Sequence, residues 1–131
     1  MKALDTNVLV RFLVEDDAAQ TARAAALIEE AVAADERLYV SDVVQCELVW
    51  VLGAAYEFRR AEISAVLSEL TRARHLRFDS SDRVSRCVRA FADGRGDFAD
   101  YVIREHARAA GYDEVATFDR ALLKQDGFIS P

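Results

Sequence analysis

Short apolar runs alternate with longer helix-like stretches along this chain, and that alternation is the feature that most constrains its fold. The runs have the length of buried strands and cover residues 2–4, 38–40, 76–78, 114–117 and 128–130. Strands that alternate with helices favour an α/β fold whose central sheet is mainly parallel. We therefore predict an α/β fold, a three-layer α/β/α sandwich with a central, mainly parallel sheet of four to five strands.

The helix patterns between these runs are bounded by residues that cap helices or end them. Asp5, Thr6 and Asn7 precede the first helix, and Gly111 follows the sixth. The other predicted helices cover residues 16–34, 42–55, 60–73, a segment from the cap at 79–82 to about 92, 97–110 and, as a short helix, 119–125. No repeat, low-complexity tract or linker divides the chain, so we expect a single domain over residues 1–131.

Composition excludes several classes of protein. With 131 residues, 52% of them apolar, the chain is long and apolar enough to fold around a core. No stretch approaches the roughly 20 apolar residues that cross a bilayer, and Asp5 comes too early for the apolar part of a signal peptide. Cys46 and Cys87 lack the spacing of a metal site or a disulfide framework, so we expect buried free thiols. These features predict a cytoplasmic protein without a membrane segment.

The charge distribution leaves two interpretations open. The net charge of −6 argues against a protein that coats nucleic acid through bulk electrostatics. All the basic residues except Lys2 and Lys124 are arginine, however, and most of them lie between Arg59 and Arg108. Arginine suits bidentate contact with phosphate. These arginines form either solvated helix faces or a local phosphate-binding rim around an acidic centre.

Four carboxylates, on Asp5, Glu47, Asp100 and Asp119, occupy positions that a sequence selected only for folding would avoid. Asp5 and Asp119 follow strand patterns. Glu47 lies on a helix within about 60° of apolar neighbours on both sides, namely Val43, Val44, Trp50 and Val51. We therefore expect Glu47 to lie in the middle of an apolar stripe that faces the core.

The other acids are open to more than one interpretation. Asp100 lies at the border between the apolar and polar sides of its helix, and Asp97 shares its face. Asp97 either caps this helix or joins Asp100, and Arg104 either pairs with Asp100 or contacts a phosphate. Asp5 and Asp119 could each be a plain helix cap. Acids at the carboxyl ends of parallel strands share one edge of a sheet, however, and can converge there.

Clustered carboxylates need a counter-charge, and a divalent cation is the simplest one. Oxygen-only ligands select hard cations such as Mg²⁺ or Mn²⁺. His75 and His106 are not placed to join them, and the chain has no GxSxG segment for a serine nucleophile. Mg²⁺ held by carboxylates activates water and stabilises a phosphoryl group during in-line displacement. The pattern therefore points to metal-dependent phosphodiester hydrolysis.

Four segments around these acids form an ordered set of motifs. They are Leu4-Asp5-Thr6-Asn7-Val8-Leu9, residues 40–52 around Glu47, Asp97-Phe98-Ala99-Asp100-Tyr101-Val102-Ile103 and Thr117-Phe118-Asp119-Arg120. In this order and at this spacing they resemble the motifs of the PIN-domain ribonucleases, and more closely those of the VapC-type toxins of bacterial toxin–antitoxin pairs. The third segment departs from the pattern, since it continues with Arg104, Glu105 and His106 where many relatives carry small apolar residues.

The resemblance implies an acidic pocket that binds Mg²⁺ or Mn²⁺ and carries out catalysis, formed by Asp5, Glu47, Asp100 and Asp119, with Asp97 as an additional acid. Supporting polar positions that orient ligands or water would be Thr6, Asn7 and Thr117. The resemblance also implies a homodimeric endoribonuclease toxin that cleaves RNA and is inhibited by a cognate antitoxin, which blocks the pocket.

Two other classes of function remain open. A PIN scaffold without catalytic activity would bind RNA or a partner protein, and the loss of acids would mark it in the sequence. A receiver domain or an aspartyl phosphatase would accept a phosphoryl group on Asp5, although such phosphatases usually have Asp-x-Asp where this chain has Asp5-Thr6-Asn7. The complete set of acids favours the nuclease.

Overall fold

The computed structural model describes residues 1–131, and in it helices alternate with short strands. The strand predicted at residues 2–4 was wrong, since only an isolated bridge at Ala3 forms there. The helices are α1 Thr6–Leu13, α2 Ala18–Ala33, α3 Asp42–Ala54, α4 Arg60–Arg72, α5 Ser81–Asp93 and α6 Phe98–Ala109. The strands are β1 Leu38–Tyr39, β2 Leu76–Arg77, β3 Val115–Ala116 and β4 Phe128–Ile129. This element order is that of an α/β fold.

The strands pair in parallel, which requires a crossover between them. The crossover contains α3 and α4 between β1 and β2, but only a 3₁₀ turn between β3 and β4. β1 pairs with β2, and Ala3 forms an isolated parallel bridge with Tyr39, where Leu4 N donates to Tyr39 O at 2.9 Å. β3 pairs with β4 in a second group. The parallel pairing was predicted, whereas the central sheet of four to five strands within a three-layer sandwich stays a prediction.

The chain forms two compact units, residues 1–79 and 80–131, each with its own buried apolar residues. In the first unit α1 packs against α2 and α3, and α3 packs against α4, around Leu9, Leu48, Leu52 and Leu67. In the second unit α5 packs against α6, and the rings of Phe91 and Phe98 meet edge to face at 6.0 Å. The expectation of one domain over residues 1–131 stays a prediction.

Polar side chains cap several helices at their first turn. Ser41 Oγ accepts from Val44 N at 3.2 Å at the start of α3, and Ser80 Oγ accepts from Arg83 N at 3.2 Å at the start of α5. Asp17 caps α2 in the same way, through Gln20 N at 3.0 Å. Each bond satisfies one backbone donor that a helix leaves unpaired at its first turn.

The short helix predicted over residues 119–125 was wrong. Only Leu122–Lys124 are helical, as a single 3₁₀ turn. The Asp119 carboxylate accepts from Ala121 N, two residues further on, which makes a turn of the kind that aspartate side chains favour over a helix start.

Tyr101 anchors the glycine-rich loop before α6. It is fully buried, and its hydroxyl donates to Gln125 Oε1 at 2.7 Å and accepts from Gly96 N at 3.0 Å. A Cβ atom on Gly94 would overlap this hydroxyl, so the close approach requires glycine there. The loop that leads into Asp97 is therefore fixed by a core side chain.

We expect Tyr101→Phe to lower the free energy of unfolding by about 1–2 kcal/mol, because it removes both hydrogen bonds of the buried Tyr101 hydroxyl, to Gly96 N and to Gln125 Oε1. Urea denaturation followed by circular dichroism measures this change. Tyr112→Phe is the matched control, since Tyr112 is 69% exposed. Equal midpoints for both variants would contradict the role given to Tyr101.

Both cysteines carry free thiols, as predicted. Cys87 is buried, whereas Cys46 is only half-buried, so the expectation of burial was correct for one of the two. Burial, with a smaller contribution from the charge on Asp42, raises the pKa of the Cys46 thiol to about 11. A thiol with this pKa is protonated at neutral pH, so Cys46 is a poor nucleophile. No helix of the structure is both long and apolar enough to cross a membrane.

The one buried acid of the chain is Glu105, on α6, and three arginines surround it. Arg86 Nε lies 2.9 Å from Glu105 Oε1, while Arg104 Nε and Arg108 Nη1 lie 3.2 and 3.0 Å from Oε2. Glu105 is only 4% exposed. The sequence suggested that Arg104 either pairs with Asp100 or contacts a phosphate. The structure shows neither, because Arg104 donates hydrogen bonds to Glu105 and to Asp126 O.

Candidate acidic site

The first predicted acid, Asp5, caps α1. Its Oδ1 accepts from Thr6 N at 2.9 Å, and the side chain is exposed. Thr6 is only 5% exposed, and its Oγ1 is buried without a hydrogen-bond partner. An unsatisfied buried hydroxyl is uncommon in a folded protein and often marks a functional position. Asn7 follows on the exposed side of α1.

Glu47 does not face the core, and that prediction was wrong. The buried face of α3 carries Gln45, Leu48, Val49 and Leu52, on the other side of the helix. Glu47 is exposed between Val43 and Trp50, which are 68 and 71% exposed. Because α3 is apolar on nearly every side, the sequence pattern did not determine which face is buried. Glu47 thus belongs to a solvent-facing stripe, where a carboxylate has no desolvation cost.

Asp97 and Asp100 form a capping box at the start of α6. Asp97 is the N-cap residue, and its N–H donates to Asp100 Oδ2 at 2.9 Å. Asp100 is half-buried, at the border between core and solvent that the sequence predicted. Both acids lie at the positive end of the helix dipole, which stabilises negative charge. Capping is thus one function of Asp97.

Partial burial raises the pKa of the Asp100 carboxyl above its usual value. The hydrogen bond from Asp97 N opposes this shift, while the negative charges of Asp97 and Asp119 add to it. The three acids of the second unit are therefore near enough for their charges to interact. A cation among them would relieve that repulsion.

Asp119 lies after β3 in a turn that Thr117 supports. Asp119 N donates to Thr117 Oγ1 at 3.0 Å, and Asp119 Oδ1 accepts from Ala121 N at 2.9 Å. Thr117 N is itself bonded to Ile129 O in the adjoining strand region, at 2.9 Å. Thr117 therefore connects the Asp119 turn to the paired strands β3 and β4 through hydrogen bonds.

Three of the predicted acids share one arrangement. Asp5, Asp100 and Asp119 each use one carboxylate oxygen to accept a backbone N–H at 2.9 Å, and in each the second oxygen makes no hydrogen bond. A carboxylate held in this way has a fixed direction and a free lone pair. A side chain that is already fixed in this way loses little conformational entropy when it binds a metal ion.

The donor chemistry fits Mg²⁺ or Mn²⁺, since every candidate ligand is an oxygen. The free carboxylate oxygen of Asp5 in the first unit and those of Asp100 and Asp119 in the second are donor atoms of this kind. No group of three or more His, Cys, Asp or Glu side chains is placed to hold an ion by itself. Charges repel one another over distances longer than a metal–ligand bond. Asp97, Asp100 and Asp119 can therefore affect the pKa of Asp100 without being close enough to bind one ion together.

Some residues next to these acids were not predicted individually. Arg120 and Lys124 lie beyond the arginine-rich stretch, and Arg95 lies in the glycine loop. They line one cleft of the second unit. Their positions two residues before Asp97 and directly after Asp119 were the signals that could have identified Arg95 and Arg120.

The PIN domain family model matches residues 2–127, so this chain belongs to the PIN-domain family. The matched range contains all four motifs and every predicted acid, and it confirms the resemblance. A VapC ribonuclease of Aquifex aeolicus (strain VF5) is 28% identical to this chain over 125 residues, which are 95% of this chain and 91% of that protein.

Proposed function

We propose that this chain is a metal-dependent endoribonuclease and the toxin of a type II toxin–antitoxin pair. The observation that carries the proposal is the set of three aspartates, each fixed through one oxygen and free at the other, within a chain of the PIN-domain family. The similarity to a VapC ribonuclease supports both the activity and the toxin role.

In this proposal the catalytic carboxylates are Asp5, Glu47, Asp100 and Asp119, and Asp97 is an additional ligand. A bound Mg²⁺ or Mn²⁺ would lower the pKa of a water and stabilise charge on the phosphoryl oxygens. Asp5, Asp100 and Asp119 would hold their free oxygens in place, because backbone N–H groups fix the others. Glu47 makes no hydrogen bond and is exposed, so its carboxylate is the member free to reorient or to accept a proton.

Thr6, Asn7 and Thr117 would support these acids. Thr6 Oγ1 has an unused hydrogen-bonding capacity beside Asp5, which suits a water at the site. The Thr117 hydroxyl accepts a hydrogen bond from Asp119 N and so orients Asp119. Asn7, exposed on the first turn of α1, would contact substrate or solvent.

The partners in this proposal are an RNA substrate, a cognate antitoxin that blocks the acidic pocket, and a second copy of the chain in a homodimer. A cytoplasmic location and a single domain with a central sheet of four to five strands belong to the same proposal. A short neighbouring gene for a DNA-binding antitoxin would support the toxin role, and co-purification of its product with this chain would test the partnership.

A scaffold without catalytic activity is the second candidate, and one observation favours it. No three acidic or other metal-binding side chains are gathered to hold an ion. Isothermal titration with Mn²⁺ discriminates the two candidates, because a scaffold would show no binding at millimolar ion. The complete set of acids favours the nuclease.

We expect RNA cleavage that requires Mg²⁺ or Mn²⁺ and stops in excess EDTA, because carboxylates at a reacting centre repel a phosphodiester and, in this proposal, the divalent ion supplies the counter-charge. The measurement is gel analysis of a labelled RNA pool incubated with the protein in each ion. Restored cleavage after Mn²⁺ is added back is the control for damage by EDTA. Cleavage that persists in EDTA would contradict the proposal.

A further inference from the structure

A cleft of about 800 Å³ in the second unit is lined mainly by charged side chains. Its basic side chains are Arg95, Arg104, Arg120 and Lys124, and its acidic ones are Asp93 and Asp126. The glycine loop before α6 and the 3₁₀ turn after Asp119 both contribute to its wall. The two loops that carry acids of the proposed site thus also form this cleft.

The charges of the cleft divide into paired and unpaired ones. Arg104 is bonded to Glu105 and to Asp126 O, and the Asp126 carboxylate pairs with Arg108 at 2.8 Å. Arg95, Arg120 and Lys124 are exposed and form no ion pair or hydrogen bond. With Asp93 as the remaining acid, the unpaired charges of the cleft sum to a net positive charge, although the whole chain is acidic.

We propose that this cleft binds the phosphates of single-stranded RNA next to the cleaved bond, through Arg95, Arg120 and Lys124. The proposal rests on the proposed nuclease function for the position of the cleaved bond. Arg95 lies two residues before Asp97, and Arg120 directly follows Asp119. Phosphates held by these side chains therefore belong to nucleotides that flank the acids.

The chemistry favours an RNA chain over an acidic protein. Guanidinium groups bind phosphate oxygens in bidentate fashion, and an open cleft with separated cations matches a backbone with regularly repeated charges. Acids at the reacting centre repel RNA, so cations on either side of them are needed to hold the chain there. Substrate binding would then be localised although the net charge is −6.

The test measures RNA binding separately from cleavage. Fluorescence anisotropy of a labelled single-stranded RNA of about 10 nucleotides is recorded in EDTA, where metal-dependent cleavage does not occur. We expect the combined variant Arg95→Gln, Arg120→Gln, Lys124→Gln to bind about 100-fold more weakly at low salt, and its salt slope to fall by about 2, since each single-strand contact contributes roughly 0.7. The assay gives a result even if the chain proves not to be a nuclease.

Arg89→Gln is the matched control, because Arg89 is an exposed cation of the same unit that does not line the cleft. It removes the same charge and should leave the RNA affinity within about twofold. Equal losses in Arg89→Gln and in a single cleft variant would overturn the proposal, since they would show a diffuse charge effect. Unchanged affinity in the combined variant would overturn it too.

Competition experiments show whether the cleft binds the RNA backbone, a free phosphate ion or an acidic protein. An uncharged morpholino oligonucleotide of the same sequence should not displace the RNA, whereas unlabelled RNA should. Displacement by inorganic phosphate at low millimolar concentration would show a site for a free anion instead, and displacement by poly-L-glutamate as effective as that by RNA would show a surface for an acidic protein. Either result would overturn the proposal.

Steady-state cleavage adds a second readout. Contacts made equally in the ground state and the transition state change KM and leave kcat alone. We expect Arg120→Gln to raise KM about tenfold at nearly constant kcat. A fall in kcat with unchanged KM would instead show that Arg120 acts on the reacting phosphate, and would contradict a role in binding flanking nucleotides.

Discussion

Asp100→Asn is expected to lower the rate of metal-dependent RNA cleavage by more than about 100-fold, while the fold becomes no less stable. Loss of a group that merely supports a metal ligand costs up to about 100-fold, and a ligand should cost more. The asparagine carbonyl can still accept from Asp97 N, so the start of α6 keeps its cap. The substitution also removes a negative charge that Asp97 and Asp119 repel.

Asp5→Asn should behave in the same way, because asparagine caps helices as well as aspartate does. The matched control is Asp17→Asn, which changes another aspartate N-cap, at α2, outside the motifs. Cleavage rates with Mn²⁺ and urea midpoints are measured for all three variants. Lost activity together with a lowered midpoint would attribute the effect to folding, and full activity of Asp100→Asn would remove it from the catalytic set.

The negative charges of Asp97, Asp100 and Asp119 repel one another, and a bound cation would relieve that repulsion. A cation that binds only the folded chain would stabilise it by mass action. We therefore expect Mn²⁺ to raise the melting temperature of the wild type more than that of Asp100→Asn.

Local features were predictable from the sequence because local physics determines them. The caps at Ser41 and Ser80 depend on hydrogen bonds within the first turn of a helix. Helix periodicity located all six α-helices to within a few residues. The predicted helix 119–125 failed for a local reason as well, since the Asp119 side chain bonds two residues on and not three.

The orientation of α3 was not predictable, because it depends on packing between elements. α3 carries apolar residues around most of its circumference, so Leu48 and Leu52 were as plausible a core face as Val43 and Trp50. The contacts of α3 with α1 and α4 decided the matter. We expected burial of the Glu47 carboxylate to be the evidence for a functional role. Because Glu47 is exposed, that role is supported only by its position in the second motif.

The buried charge of this chain was missed for the same reason. Glu105 lies among charged residues, and the sequence identified the segment only as a departure from the family pattern. Arg104 and Arg108 lie beside Glu105 on α6, whereas Arg86 comes from α5. Arg108 is also bonded to Asp126 before β4. Gly127, with φ of +86°, leaves room for Arg104 and Arg108 that a side chain would occupy. Only the fold brings Arg86 and Asp126 to these residues of α6.

Glu105→Gln is expected to lower the free energy of unfolding by about 3 kcal/mol at pH 7, the cost of breaking a buried ion pair from one side. The variant leaves Arg104, which is 11% exposed, without its carboxylate partner. Urea denaturation of both proteins measures the difference. Glu69→Gln is the matched control, because Glu69 pairs with Arg72 on the surface, and its effect should stay within about 0.5 kcal/mol.

The pH dependence of this difference tests the electrostatic origin of the effect. Burial by itself would raise the pKa of Glu105, but the hydrogen bonds from Arg86 and Arg104 and the charge on Arg108 outweigh it and hold the pKa below 4.5, its value in the unfolded chain. An acid with a lowered pKa in the folded state stabilises the fold fully above its unfolded pKa, and this stabilisation is lost as pH falls through the folded pKa. The gap between wild type and Glu105→Gln should therefore stay constant from pH 7 to about 5 and narrow below about 4.5. A gap that is independent of pH would show that shape and packing, and not the charge, make Glu105 necessary.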